Sequence, residues 1–351
     1  IPLVYLVVRA AEAGLPTVIA TLSRGRVLEY AANSLALAAA TTATALVLGT
    51  AVAVVLTRVR VPFARAWLLI SALPLAVPSY LAGYGWLVLA PGVNGFVPSW
   101  LLLTAVTVPY VTLPVAAALR GASGDLEGVA RTLGRGPLRA FLVATWPTVR
   151  PAAIAGSLLV ALYALSDFGL VAMMRYPTLT WGINAAYSAS FDRAQAATLA
   201  LLLVVLALVV VVGERAARRQ LPRAAARAVA PRAVGRGMLI AMLPVVAVAP
   251  LIGVGVPLLG LLSRLVEAAT LREIDVPRLL EAVGSTVGVA VAAALLAVLL
   301  ALPIAALASR YRGRLVTAIE SVGYLGHALP GIVVGLSLVF FALAVVPALY
   351  Q

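Results

Sequence analysis

The sequence predicts an all-α integral membrane protein, a bundle of membrane-spanning helices built as two parallel copies. Three observations carry this expectation. Hydrophobic residues make up 63% of the chain and charged residues 11%, with a mean hydropathy of +1.09, far outside the range of soluble domains. Arginines fall on alternate loops between the apolar runs, and charged, proline and glycine positions recur at one fixed offset.

Taken in order, Ile1 to Val8 is apolar but too short to cross a core that needs about 20 helical residues. With no initiator methionine and no signal-peptide pattern, it reads as the tail of a first spanning helix that has been cut. Arg9 to Glu29 reads as a polar connection of mixed charge. Ala31 to Thr57 is a span closed by Arg58, Arg60 and Arg65. Trp67 to Ala90 is the next, bent or interrupted at Pro74 and Pro78, and Pro91 to Ser99 is a turn-rich hairpin. Trp100 to Leu119 crosses back. After a polar stretch come Ala152 to Met173 and Ala196 to Gly213. Met238 to Leu262, Gly284 to Ala308 and about Ala318 to Pro347 complete the spans.

Placing alternate loops on alternate sides puts 18 arginines on one side and 8 on the other, where seven acids balance them. The positive-inside rule then assigns the Arg120 to Arg150 loop and the arginine-rich linker to the cytoplasm. In a soluble protein the net charge of +14 would suggest nucleic acid; here topology accounts for it, and no nucleic-acid partner is expected.

Glu29 and Glu281, Arg58 and Arg310, Arg60 and Arg312, Pro78 and Pro330, and Gly83 and Gly335 are each 252 residues apart. Both copies enter the membrane from the same side, so the repeat is parallel and not inverted. The expected division is a first repeat at 1–213 with its first helix cut, a cytoplasmic linker at 214–236, and a second repeat at 237–351, itself cut at its C-terminal end. A second copy of the polar loop is expected one offset onward, beyond Gln351.

That polar loop, Arg120 to Pro151, has local order. Asp125 precedes Leu126, Val129, Ala130 and Leu133 at helical spacing. Gly134 and Gly136 break this helix, Pro137 opens a second carrying Leu138, Phe141 and Leu142, and Pro147 ends it. Two short amphipathic helices on a glycine elbow, with Arg131, Arg135 and Arg139, suit the grip of a soluble partner.

The loop resembles the cytoplasmic EAA loop of permease subunits of ATP-binding-cassette (ABC) importers: E-A-A, three residues, G, nine residues, I-x-L-P. Gly134 takes the glycine, Ala144, Trp146 and Pro147 the closing positions, and Ala130 and Val129 the alanines. Gly128 stands where the glutamate belongs, a departure, with Glu127 one residue early and about 100° round the helix. Whether Glu127 supplies that charge stays open. The segment SLLVALYALSDFGLVAMMRYPTLTWGINAAY is similar to ferric-iron-type permeases, a group that includes thiamine permeases.

The resemblance implies a type I ABC importer permease fold in the bacterial inner membrane. It also implies two partners besides lipid: a cytoplasmic ATPase dimer gripping Asp125 to Phe141, and a periplasmic binding protein delivering substrate. The chain has no cysteine and all 26 basic residues are arginine. Thiolate chemistry, a P-loop lysine and Schiff-base catalysis are therefore excluded. The chain is not expected to be an enzyme or to bind a cofactor, and ATP falls to the partner subunit.

Within the spans, Asp167 admits two readings: with Phe168 and Gly169 it lines a translocation path, or it caps a neighbouring helix with Ser166. His327 reads as packing, since its first-copy counterpart is Leu75. Pro78 and Pro330 read as kinks, with gating as the functional alternative. Tyr80, Tyr84 and Trp86 read as interface anchors, and no oxygen-ligand cluster specifies a metal site. Two rivals remain at this point. An ion-coupled secondary transporter would place ionisable residues in matching positions of an inverted repeat; a membrane scaffold would use the linker for docking.

Overall fold

The computed structural model describes residues 2–121, 125–188, 192–218, 233–271 and 275–311, with Gly313, Val316, Gly331, Val334, Gly335 and Leu338. Among these residues the regular structure is helical. The chain opens with α1 (Pro2–Ala13), α2 (Leu15–Leu22) and α3 (Gly25–Arg58). Next come α4 (Ala64–Ala72), a 3-10 turn (Leu73–Ala76), α5 (Ser79–Leu89), α6 (Phe96–Thr107) and α7 (Pro109–Arg120). The polar loop holds α8 (Asp125–Thr132) and α9 (Pro137–Ala140), followed by a π-helical turn (Phe141–Thr145) and α10 (Trp146–Ser166). Then follow α11 (Gly169–Met173), α12 (Leu179–Ser188), α13 (Arg193–Arg218), α14 (Arg236–Pro250), a second π-turn (Leu251–Gly255), α15 (Val256–Leu271) and α16 (Val276–Arg310).

Six helices among the described residues are long and apolar enough to cross a membrane: Gly25–Arg58, Phe96–Arg120, Pro137–Ser166, Ala194–Gly213, Arg236–Glu267 and Val276–Leu307. Two further apolar pairs are sharply bent, Leu3–Ala13 with Leu15–Leu22 by 101° and Ala64–Ala76 with Ser79–Leu89 by 91°. The second bend falls at Pro74 and Pro78, where the missing N–H groups stop one helix and start another. The predicted span Trp67 to Ala90 is therefore two half-helices.

Other segments also differ from the sequence reading. Arg9 to Glu29 is mostly helix, broken at Gly14, whose φ of 79° ends α1 just before Pro16 starts α2. Arg9 pairs with Glu12 at 2.7 Å along α1, so these charges lie on a helix face and not in a loop. Pro147 does not end a helix. The preceding π-turn offsets the backbone so that α10 runs through Pro147 and Pro151 to Ser166. The span expected at Ala152 to Met173 thus stops at Ser166, and Asp167 stands just past its end.

The described residues fall into two compact units, one within Ile1–Leu261 and Pro330–Gln351 and the other within Leu262–Leu329. The core of the first lies where α3, α7 and α10 meet, around Ala45, Ala53, Val111, Val115, Ala153 and Val160. Small residues allow the close approach, as is usual between membrane helices. A Cβ on Gly49 would lie 2.8 Å from the Val111 Cβ, and one on Gly156 would strike the Tyr110 carbonyl oxygen. The N-terminal part of α3 ties down the loop before α12. Asn33 Nδ2 donates to the Pro177 carbonyl at 2.8 Å and the Leu179 N–H donates to Ser34 Oγ at 2.9 Å. The linker is followed by α14, which packs against α3, α4 and α6.

α3 ends at Arg58 and α16 at Arg310, and their cap residues, Val59 (φ −111°, ψ 141°) and Tyr311 (φ −120°, ψ 144°), turn out of the helix in the same way. His327, Pro330 and most of the span expected at Ala318 to Pro347 lie outside the described residues, as does Arg312.

Candidate functional site

The candidate coupling loop is a folded helical hairpin. α8 closes in a Schellman cap: the Gly134 N–H donates to the Arg131 carbonyl at 3.0 Å and the Arg135 N–H to the Ala130 carbonyl at 3.1 Å. Gly134 takes the left-handed conformation this cap requires, with φ 80°. A Gly134→Ala change is expected to cost about 1–2 kcal/mol in the loop. Hydrogen exchange should read this as faster exchange over residues 125–137, with the spans unchanged.

Glu127 has its partners within the loop itself. Its carboxylate accepts from Arg131 Nη2 at 3.1 Å and, through its other oxygen, from Thr145 Oγ1 at 3.0 Å. The side chain is 16% exposed, so this pair counts for more than a surface ion pair. One residue early, Glu127 faces inward and straps α8 to the π-turn that starts the next span. Thr145, which composition did not single out, is its partner. Gly128 has open space where a side chain would stand. Ala130 is buried, and the exposed Arg135 and Arg139 flank the elbow. Asp125 opens α8, and its side chain lies outside the described residues.

The apolar positions of α8 do not all turn inward. Val129 is 55% and Leu133 76% exposed, one turn apart on a single face, and Leu138 on α9 is 70% exposed. Beside them a groove of about 800 Å³ runs between Val47 and Val54 of α3, Leu138 and Trp146, and Met238 and Met242 of α14. Val129, Leu133 and Leu138 thus leave an apolar ridge uncovered by the hairpin's own packing.

A second constellation sits at the broken helices. Asp167 is 8% exposed. Its Oδ1 accepts the Leu170 N–H at 3.0 Å and the Val171 N–H at 3.4 Å, and Ser79 Oγ donates to its Oδ2. Thr180 Oγ1 donates to its carbonyl at 2.7 Å. Of the two readings the sequence left open, the contacts are those of a cap: Asp167 closes the N-terminus of α11 and reaches Ser79, the first residue of α5, just after Pro78. The half-buried Phe168 lies in the chain between α10 and α11, and Gly169 lies against Tyr80. Tyr80 and Tyr84 are exposed on α5, and Trp86 Nε1 donates to the Ile252 carbonyl at 2.9 Å. Among the described residues no cluster of three or more His, Cys, Asp or Glu is grouped to hold a metal ion.

The whole chain aligns with the Fe(3+)-transport system permease protein FbpB 2 of Haemophilus influenzae, at 32% identity over 358 residues and 71% of that protein's length. The chain belongs to the family of ABC importer permease subunits. Part of it is also similar to the putrescine transport system permease protein PotI of Escherichia coli, at 30% identity over 42% of this chain and 56% of PotI. The molybdenum transport system permease protein ModB of Mycobacterium bovis is 31% identical over 50% of this chain and 74% of ModB. No family model matches the chain. With six apolar spans among the described residues, this ABC permease is a multi-pass protein of the bacterial inner membrane, a transport subunit and not an enzyme.

Proposed function

We propose that this permease carries ferric iron, receives it from a periplasmic binding protein, and is driven by a separate cytoplasmic ATPase dimer docked at 120–151. The similarity of the whole chain to a Fe(3+)-transport permease, over 71% of that protein, carries the substrate assignment. The folded hairpin with its exposed Val129, Leu133 and Leu138 supports the docking assignment. The chain divides at the 214–236 linker into two permease repeats, 1–213 and 237–351. It binds no cofactor itself, and the partner subunit hydrolyses the ATP.

Mechanically, the loop and α10 are one object. Pro137–Ser166 is 30 residues of continuous helix, about 45 Å long at 1.5 Å per residue. Displacement of the hairpin by the ATPase travels along this rod to the broken helices at Pro78 and Asp167. Pro330, 252 residues after Pro78, is the corresponding sequence position of the second repeat. An ion-coupled mechanism is the weaker account, because the buried Asp167 commits both oxygens to hydrogen bonds.

The test is uptake into vesicles holding the permease with its ATPase and binding protein. ATP-dependent accumulation of ferric iron is the expected result. ATP-dependent accumulation of molybdate, putrescine or thiamine instead would replace the substrate. Uptake that follows a proton or sodium gradient without ATP would replace the importer reading with a secondary transporter.

A further inference from the structure

We propose that Asp167 is a positioning residue that fastens α5 and α11 into one moving part driven by α10, so that loop displacement reaches the break at Pro78. This rests on the ATP-driven reading above. Three helix ends meet at this side chain. α10 stops at Ser166, α11 starts at Gly169, and α5 starts at Ser79. The chain between Ser166 and Gly169 leaves helical geometry at Asp167 (φ −67°, ψ 127°), a joint whose carbonyl Thr180 holds and which the side chain ties further. Without the side-chain tie the joint absorbs the rod's displacement locally. The carboxylate supplies the tie: one oxygen holds the first amides of α11 and the other holds Ser79. Both new helices present the positive ends of their dipoles toward it, which suits an acid there. The two helices also pack closely, with the Tyr80 Cβ 2.7 Å from where a Gly169 Cβ would stand.

The same packing offers a substitute tie. A Cβ on Gly83 of α5 would lie 3.5 Å from the Met173 Cβ of α11, within the usual Cβ separation of a disulfide, and its other contacts are ordinary ones. The chain has no cysteine of its own, so Gly83→Cys with Met173→Cys can form a single defined bridge.

The experiment uses the full-length permease with its ATPase and binding protein in vesicles. Asp167→Ala is expected to leave the ATPase complex and its turnover within about twofold while uptake per ATP falls about tenfold, the size of one lost charged hydrogen bond. Asp167→Asn keeps an acceptor for the α11 amides and a donor for Ser79, and is expected to retain at least about half of the uptake. In the Asp167→Ala background, oxidising the Gly83→Cys/Met173→Cys pair is expected to restore uptake, and reductant to remove it again. Restoration is a result that a substrate-binding carboxylate does not allow, and an ATPase complex and turnover unchanged in Asp167→Ala exclude a general loss of stability. The inference is overturned if the bridge forms without restoring uptake, if Asp167→Asn is as inactive as alanine, or if Asp167→Ala transports normally. Should Asp167→Ala not assemble, Ser79→Ala carries the test, with uptake per ATP several-fold lower expected and wild-type uptake overturning the proposal. Wild-type vesicles lacking ATP-dependent uptake would instead sink the importer reading, and this inference with it.

Discussion

Gly156→Leu is expected to abolish recovery of folded protein from the membrane, and Gly156→Ala to lower its stability markedly. Gly156 lies on α10 where it crosses α7, and even a methyl group there would meet the Tyr110 carbonyl oxygen and lie 2.8 Å from the Val111 Cα. These are backbone atoms inside a helix and cannot rotate away as a side chain could. Overpacking a core costs about 1–3 kcal/mol when neighbours yield, and leucine here exceeds that range because they do not. Membrane helices gain little from the hydrophobic effect between them, so loss of close packing removes much of what holds α7 to α10. Size-exclusion profiles in detergent after graded heating would measure this. A Gly156→Leu protein with the wild-type midpoint would show that α7 and α10 do not meet as described.

The sequence made some of this legible through strong local signals. Gly134, Gly136 and Pro137 specify an elbow by backbone chemistry alone, and the structure places a Schellman cap and a helix start there. Arg58 and Arg310 bounded their spans because charge stops burial, and both helices end at those residues.

What stayed hidden depends on contacts distant in sequence or on geometry with no compositional signature. Pro147 looked like a terminator, and only the π-turn before it lets the helix continue. The end of α10 at Ser166 lay inside a continuous apolar run, so hydropathy carried the span to Met173. A signal was present: Asp167 followed by an amide three residues on is an N-cap pattern, here for the five-residue α11. Ser79, 88 residues away, could not be paired with it by any local rule. Glu127 misses the motif position by one residue, yet the loop's fold turns it onto Thr145, 18 residues on.

Val129→Gln together with Leu133→Gln is expected to weaken the ATPase complex by about 100-fold while leaving the permease folded. Helical periodicity put these residues on an apolar face but could not say what that face meets. In the structure they point away from the hairpin's own packing, which Ala130 and Ala140 fill instead. Fully burying a Val or Leu side chain contributes about 1.5–3 kcal/mol, so two such positions at the centre of an interface account for about 3 kcal/mol or more. A loss of that size corresponds to about two decades in dissociation constant. Glutamine keeps helix propensity close to that of leucine and adds no charge, so neither loop folding nor electrostatic steering is altered in parallel. Arg131→Ala is the instructive contrast. Its guanidinium is engaged with Glu127 on the same helix, so its removal should act mainly on the hairpin's internal order, with a smaller effect on docking. Titration of the detergent-solubilised permease with its ATPase gives both numbers. If the glutamine pair binds like wild type while Arg131→Ala or Arg135→Ala does not, the contact is electrostatic and the apolar ridge serves another surface.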